Sequence, residues 1–161
     1  MRKAALWFGI AALLIVADYA SKWLVLARIA PGERIEVTGF FNLVLVFNKG
    51  AAFSFLSTAS GWQTPLFLAI AVAAAVLISV LLVRPTPSPV YRAALALILG
   101  GALGNAVDRL RFGQVVDFLD FHYLGWHWPA FNVADAAITV GALLLVAESF
   151  MHRDKGGSVH G

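Results

Sequence analysis

No cysteine occurs anywhere in the chain, which excludes disulfides, thiolate metal sites, a cysteine nucleophile and S-lipidation of the protein itself. Charge is scarce as well: Asp, Glu, Lys and Arg make up 13% of the 161 residues, while 60% are hydrophobic. Ordinary soluble domains are roughly 45–50% apolar, so this composition points to a single membrane domain. The formal charge of +3 comes from basic residues spread singly or in pairs, without the stripe that nucleic acid requires. Anionic lipid headgroups are the expected partner, and no nucleic acid. Any chemistry must use oxygen and nitrogen groups.

Four apolar stretches are long enough to cross a bilayer, about 4–26, 65–83, 91–107 and 129–150. Between them lie two outer segments, 27–64 and 108–128, and a polar tail, 152–161, expected to be disordered. Arg2 and Lys3 before the first stretch imitate a signal peptide. Apolar character resumes past Lys22 through WLVLA with no clean small-residue site after it, so an uncleaved span is expected. RPTPSPVYR, between the second and third stretches, suits a cytoplasmic turn. With an even number of spans, both termini are then expected to be cytoplasmic.

The outer segments read differently. Ile35 to Phe47 alternates in part, as one or two strands bent near Gly39, and Val115 to His122 is a shorter strand-like run. Trp62, Trp126 and Trp128 flank the spans where an aromatic belt would lie. A small sheet on the outer membrane surface is the expectation.

Within so apolar a chain, carboxylates stand out. An ionisable group in hydrocarbon costs at least a few kcal/mol and marks a site or pathway. Asp117 in VVDF and Asp135 in FNVAD are the leading pair. Asn132 and Asp135 are three residues apart on one helix face, and Pro129 suits a first turn, which would put Asp135 about 8–9 Å into the helix. Helix packing alone is the competing account of Asp135. Gly100 and Gly104 form a small-xxx-small pair for close helix approach, followed by Asn105, Asp108 and Arg109. These three could orient a substrate backbone or pin the loop leading to Asp117. Asp18 and Lys22 have the i, i+4 order of a helical ion pair. The polar Asn48 is followed by Gly50, Ala51 and Ala52, whose small side chains permit close approach of another chain to the backbone, although a bare turn explains the segment equally well.

His122 and His127 lack the spacing of a zinc site and read as aromatic-rich interface residues. Serine–lysine chemistry stays open through Ser21 beside Lys22 and Ser54 near Lys49, although adjacent helical residues do not face each other. A small transporter or proton-relay protein is the other alternative, in which Asp18, Asp108, Asp117 and Asp135 carry ions. It predicts acids spread through membrane depth, whereas these cluster toward one side.

Taken in order, DYASK (Asp18 to Lys22), FNKGAAFS (Phe47 to Ser54), GNAVDR (Gly104 to Arg109), VVDF (Val115 to Phe118) and FNVAD (Phe131 to Asp135) resemble the motif series of the lipoprotein signal peptidase family, signal peptidase II. That resemblance implies a bacterial inner-membrane aspartic endopeptidase with four transmembrane helices, a small extracytoplasmic β-sheet and a short extracytoplasmic helix. It implies removal of the signal peptide from prolipoproteins whose lipobox cysteine carries diacylglycerol, with the site near the outer face; a monomer is the expected state. Asp117 and Asp135 would be the catalytic dyad. Asn48, Gly50, Asn105, Arg109 and Asn132 would line or brace the substrate site, with Asp18 and Lys22 supporting it. No metal or other cofactor is implied. Tyr19 and Ser21 depart from the Gln and Thr common in the family.

Overall fold

The computed structural model describes residues 2–50, 62–85 and 88–156. Four helices, α1 (Arg2–Arg28), α2 (Gln63–Val83), α3 (Pro89–Phe112) and α4 (Val133–Gly156), accompany four strands, β1 (Arg34–Thr38), β2 (Phe41–Asn48), β3 (Val115–Tyr123) and β4 (Trp126–His127). All four helices contain stretches long and apolar enough to cross a membrane, with mean hydropathy between 1.5 and 3.1. Large apolar side chains such as Leu13, Val72, Leu77 and Leu143 are exposed, as lipid-facing positions are. The short additional helix implied by the family resemblance is not among the described residues.

The helix at the centre of the bundle is α3, half-buried where the other three are mostly exposed. Its glycines make this possible. A Cβ on Gly100 would lie 2.9 Å from the Ala11 carbonyl of α1, and one on Gly101 would collide with the Ala134 carbonyl of α4. At Gly104 it would meet Asp18 of α1 and Ala134 of α4, so the small-residue pair admits close helix approach as expected, Gly100 toward α1 and Gly104 toward both α1 and α4, with Gly101 adding to the α4 contact. The α2–α3 turn closes where Ser88 Oγ accepts from Tyr91 N at 3.1 Å and Pro89 enters the first helical turn.

The sheet sits at the end of the bundle where α1 and α3 finish and α2 and α4 begin, and Thr64 Oγ1 ties α2 to the Gly113 carbonyl there at 2.7 Å. Its strands run antiparallel in the order β1-β2-β3-β4. Val116 and Phe118 pack with Leu45 against Val25 of α1 and Ile29 just beyond it. Strand alternation then turns Asp117 the other way, toward α4. The pairing of β2 with β3 sets Asn42 opposite Asp120 and Val46 opposite Asp117, with a bulge between Leu43 and Val46.

Three helix boundaries differ by more than two residues from those read in the sequence. Helix α3 runs past 107 to Phe112, because Asp108 and Arg109 find buried partners, and it stops where Gly113 adopts φ 71° and bonds back to the Arg109 carbonyl at 3.0 Å. Helix α4 begins at Val133, not Pro129. Phe131 is drawn into a bridge with Leu119, holding the preceding residues extended. Asp135 is therefore in the first helical turn rather than 8–9 Å along. Helix α4 also continues to Gly156, into the stretch expected to be a disordered tail.

Candidate active site

Asn132 occupies the N-cap of α4. Its Oδ1 accepts from the Asp135 backbone N–H at 2.9 Å, and its carbonyl accepts from Ala136 N at 3.1 Å. With its oxygen so committed, the Nδ2 group faces outward from the helix, toward Asp117 Oδ1 at 2.7 Å, the Val116 carbonyl at 3.2 Å and Asn105 Oδ1 at 3.2 Å. One asparagine thus bonds to both residues of the candidate dyad.

Two further asparagines complete the frame. Asn105 Oδ1 faces the Lys22 ammonium at 3.1 Å, and because an ammonium only donates, the Nδ2 end of Asn105 is left for Asp135 Oδ1, at 2.8 Å. Asn48 Oδ1 accepts from Gly50 N at 2.9 Å, directing its Nδ2 to Asp117 Oδ2 at 2.9 Å. Both oxygens of Asp117 are occupied. Asp117 is 1% exposed while Asp135 is half-buried. Burial, reinforced by the charge of Asp135, pushes the Asp117 carboxyl up to about 7 against the opposing bonds from Asn48 and Asn132.

Beneath this frame lies a buried ion cluster. Lys22 Nζ is 2.7 Å from Asp18 Oδ2 and 2.9 Å from Asp108 Oδ2, all but shielded from solvent. Asp18 Oδ1 accepts from Ala134 N at 2.9 Å, satisfying another free donor at the start of α4. Asp108 Oδ2 accepts from Val116 N at 3.0 Å, so of its two expected roles it takes the pinning of the segment leading to Asp117. Lys22 joins α1 to α3, and through Asn105 reaches Asp135.

Arg109 Nη2 donates to the Gly50 carbonyl at 2.8 Å, and its guanidinium lies 4.9 Å from the centre of the Phe67 ring. An apolar cavity of about 570 Å³ opens between α2, α3 and α4. Phe67, Ile70 and Ile98 are among its walls, and Asn105, Arg109 and Asp135 meet it from α3 and α4. Asp117 does not line it and stands behind the asparagines. The contribution of α2 has no polar motif in the sequence and could not be picked out there.

The serine–lysine alternative finds no geometry at Ser21, whose Oγ donates to the Asp18 carbonyl at 2.8 Å while Lys22 is taken by two carboxylates. Ala51, Ala52 and Ser54 lie outside the described residues. Among the described residues there is no cluster of three His, Asp or Glu side chains able to hold a metal ion.

The family model of signal peptidase (SPase) II matches residues 10–151. This chain belongs to the signal peptidase II family. A lipoprotein signal peptidase of Paraburkholderia phytofirmans is 56% identical over 142 residues, 88% of this chain and 83% of that protein. One from Burkholderia vietnamiensis is 56% identical over 140 residues, 87% of this chain and 84% of its own length. A solved bacterial membrane enzyme superposes with a TM-score of 0.84 at 27% identity, covering 98% of this chain and 93% of the other. A second does so at 0.78 and 28%, covering 89% and 92%. As a signal peptidase the chain is a protease, and its four apolar helices make it a multi-pass membrane protein.

Proposed function

We propose that this signal peptidase is an intramembrane aspartic endopeptidase that cuts prolipoproteins immediately before their diacylglyceryl-cysteine, with Asp117 and Asp135 as the water-activating pair. The observation that carries the reading is the asparagine frame: Asn132 donates to the Asp117 carboxylate and caps the Asp135 backbone N–H, while Asn105, bonded to Asn132, donates to the Asp135 carboxylate, which faces an apolar groove. Two carboxylates in a partly dry site resist simultaneous ionisation and share a proton. The ionised state of the pair takes a proton from water as its oxygen attacks the scissile carbonyl, and the remaining carboxyl proton polarises that carbonyl. Collapse of the tetrahedral intermediate breaks the C–N bond. The departing cysteine amine takes a proton from the pair, and the signal peptide leaves with a new carboxylate. The dyad titrates as one unit, so neither residue is named acid or base.

The groove between α2, α3 and α4 suits a signal-peptide helix and acyl chains, being apolar along most of its length and polar only where it meets Asn105, Arg109 and Asp135. Arg109 and Asn48 hold the backbone at Gly50, the start of the small-residue stretch that would keep substrate extended. We take the enzyme to act as a monomer. We place the sheet end of the bundle at the outer face of a bacterial inner membrane and both termini in the cytoplasm. The location of the polar cluster at one end also disfavours an ion path through the bilayer.

The test is cleavage of a diacylglyceryl prolipoprotein by purified protein in detergent. Asp117→Asn and Asp135→Asn should abolish it while leaving the fold intact, and Ser54→Ala should not. Full activity in either Asn variant would remove the dyad assignment.

A further inference from the structure

The far end of β3 carries a polar cluster that the dyad does not use. Asp120 is 5% exposed, Asn42 Nδ2 donates to its Oδ2 at 2.8 Å, and His127 Nδ1 lies 2.8 Å from Oδ1 and 3.0 Å from Oδ2. Burial works to raise the carboxyl, but the bonds from Asn42 and His127 and the charge of Arg34 on β1 outweigh it, holding Asp120 below the usual carboxylate range. An ionised carboxylate only accepts, so Nδ1 of His127 carries the hydrogen whatever the charge of the ring. The ring also stacks on His122, its β3 partner, with centroids 5.0 Å apart.

This cluster lies at a mechanically useful place. Asp120 follows Asp117 by three residues on β3, and His127 precedes Asn132 by five. The intervening run is tied to β3 by Trp128 N to the Phe121 carbonyl at 2.8 Å, and by Phe131, which exchanges bonds with Leu119 at 2.8 and 3.1 Å. Pro129 has no N–H to contribute. The side-chain clasp of His127 onto Asp120 therefore closes one end of the run, and the Asn132 bond to Asp117 closes the other.

We propose that His127, acting through Asp120, is a positioning residue for the peptidase reaction: the clasp sets the register of residues 126–132 on β3, and so the seat of Asn132 and the first turn of α4 against Asp117. The inference rests on reading Asp117 and Asp135 as the reacting pair. A slip on the order of 1 Å between reacting groups costs about a hundredfold in rate. A clasp whose histidine side chain is 35% exposed adds little to stability, so activity should suffer out of proportion to folding.

Three variants of the full chain, purified in detergent and assayed on a diacylglyceryl prolipoprotein, test this. His127→Ala removes the ring, His127→Phe keeps a stacking ring without a donor, and His127→Asn places an amide N–H near the position of Nδ1. We expect Ala and Phe to lower kcat by at least about tenfold with KM changed by less than about threefold, at a thermal midpoint close to that of the parent, and Asn to restore kcat to within about threefold. Unchanged kcat in Ala and Phe, a loss that follows the folded fraction, or failure of Asn to restore activity would overturn the inference. Asp117→Asn runs alongside. Activity retained there defeats the dyad reading itself, whereas an inactive Asp117→Asn with fully active His127 variants defeats only the clasp.

Discussion

Asn132 donates its side-chain amide to Asp117 Oδ1 at 2.7 Å while the same side chain caps α4 through Asp135 N at 2.9 Å. A residue that ends an extended run and starts a helix is thereby also the spacer between a strand carboxylate and a helix carboxylate. The cap forces the amide orientation, and the amide orientation places the donor on Asp117.

Asn132→Ala should then fail in two separable ways. Loss of an N-cap costs about 0.5–2 kcal/mol, a modest drop in the thermal midpoint. Loss of the shared frame should lower kcat by about a hundredfold, because Asp117 loses a donor and the turn that carries Asp135 loses its cap. Thermal unfolding and steady-state cleavage on one preparation separate the two, and wild-type kcat in a destabilised variant would show the amide to be structural alone.

Asp117 carries a pH signature. Burial and the charge of Asp135 push its carboxyl up from the ordinary carboxylate value of 3.8 to about 7. Between those values the folded protein keeps a proton that the unfolded chain has released. The contribution to stability is thus fully present below the ordinary carboxylate value and is lost as pH rises toward about 7, at about 1.4 kcal/mol per pH unit. Asp117→Asn should flatten the dependence of the thermal midpoint on pH over this range and raise it most at the alkaline side. In the parent enzyme kcat/KM should fall above about 7 as the shared proton departs. Scans from pH 4 to pH 9 read both, and a midpoint dependence identical in parent and variant would contradict the assignment.

Lys22 is the one ammonium shared by two buried acids, Asp18 and Asp108. Lys22→Met keeps the stem and removes the charge, leaving both carboxylates uncompensated. A loss of about 3–5 kcal/mol is expected, read as a large fall in thermal midpoint and in yield of folded protein. A midpoint within a degree or two of the parent would mean the cluster is not needed for folding.

Gly101 stands where a Cβ would meet the Ala134 carbonyl, in the same first turn that carries Asp135. Gly101→Ala should push α4 from α3, costing about 1–3 kcal/mol and lowering activity further through Asp135. Gly9→Ala is the control, since a Cβ there meets nothing within 4 Å, and by helix propensity it should be neutral or stabilising by up to about 1 kcal/mol. Equal effects from the two substitutions would show the close approach at Gly101 to be unimportant.

The helices were legible because apolar runs of span length leave little choice of structure, and α2, with the highest mean hydropathy at 3.1, was placed closely. The strands were legible by alternation, apart from the two-residue β4, too short to carry a period. The ends of α3 and α4 were not. Hydropathy treats Asp108 and Arg109 as an exit from the span, whereas their partners Lys22, Val116 and Gly50 keep them inside the fold. Pro129 looked like a helix start until Phe131 was seen paired with Leu119. Asp120 and His127 gave no sign of each other in sequence: histidines that failed the zinc spacing test read as interface residues, and only the β3–β4 pairing brings the ring onto the carboxylate.

By itself the sequence determined the membrane class, the four apolar helices, the absence of thiol chemistry and which acids stand out, because composition and period are local properties. Tertiary structure decided how those acids relate. Asp117 belongs to a strand and Asp135 to a helix, and the side chains that join them come from β2, α3 and the cap of α4, with Lys22 of α1 behind. Orientation of an asparagine amide depends on what faces each of its ends, and those neighbours are assembled only by folding.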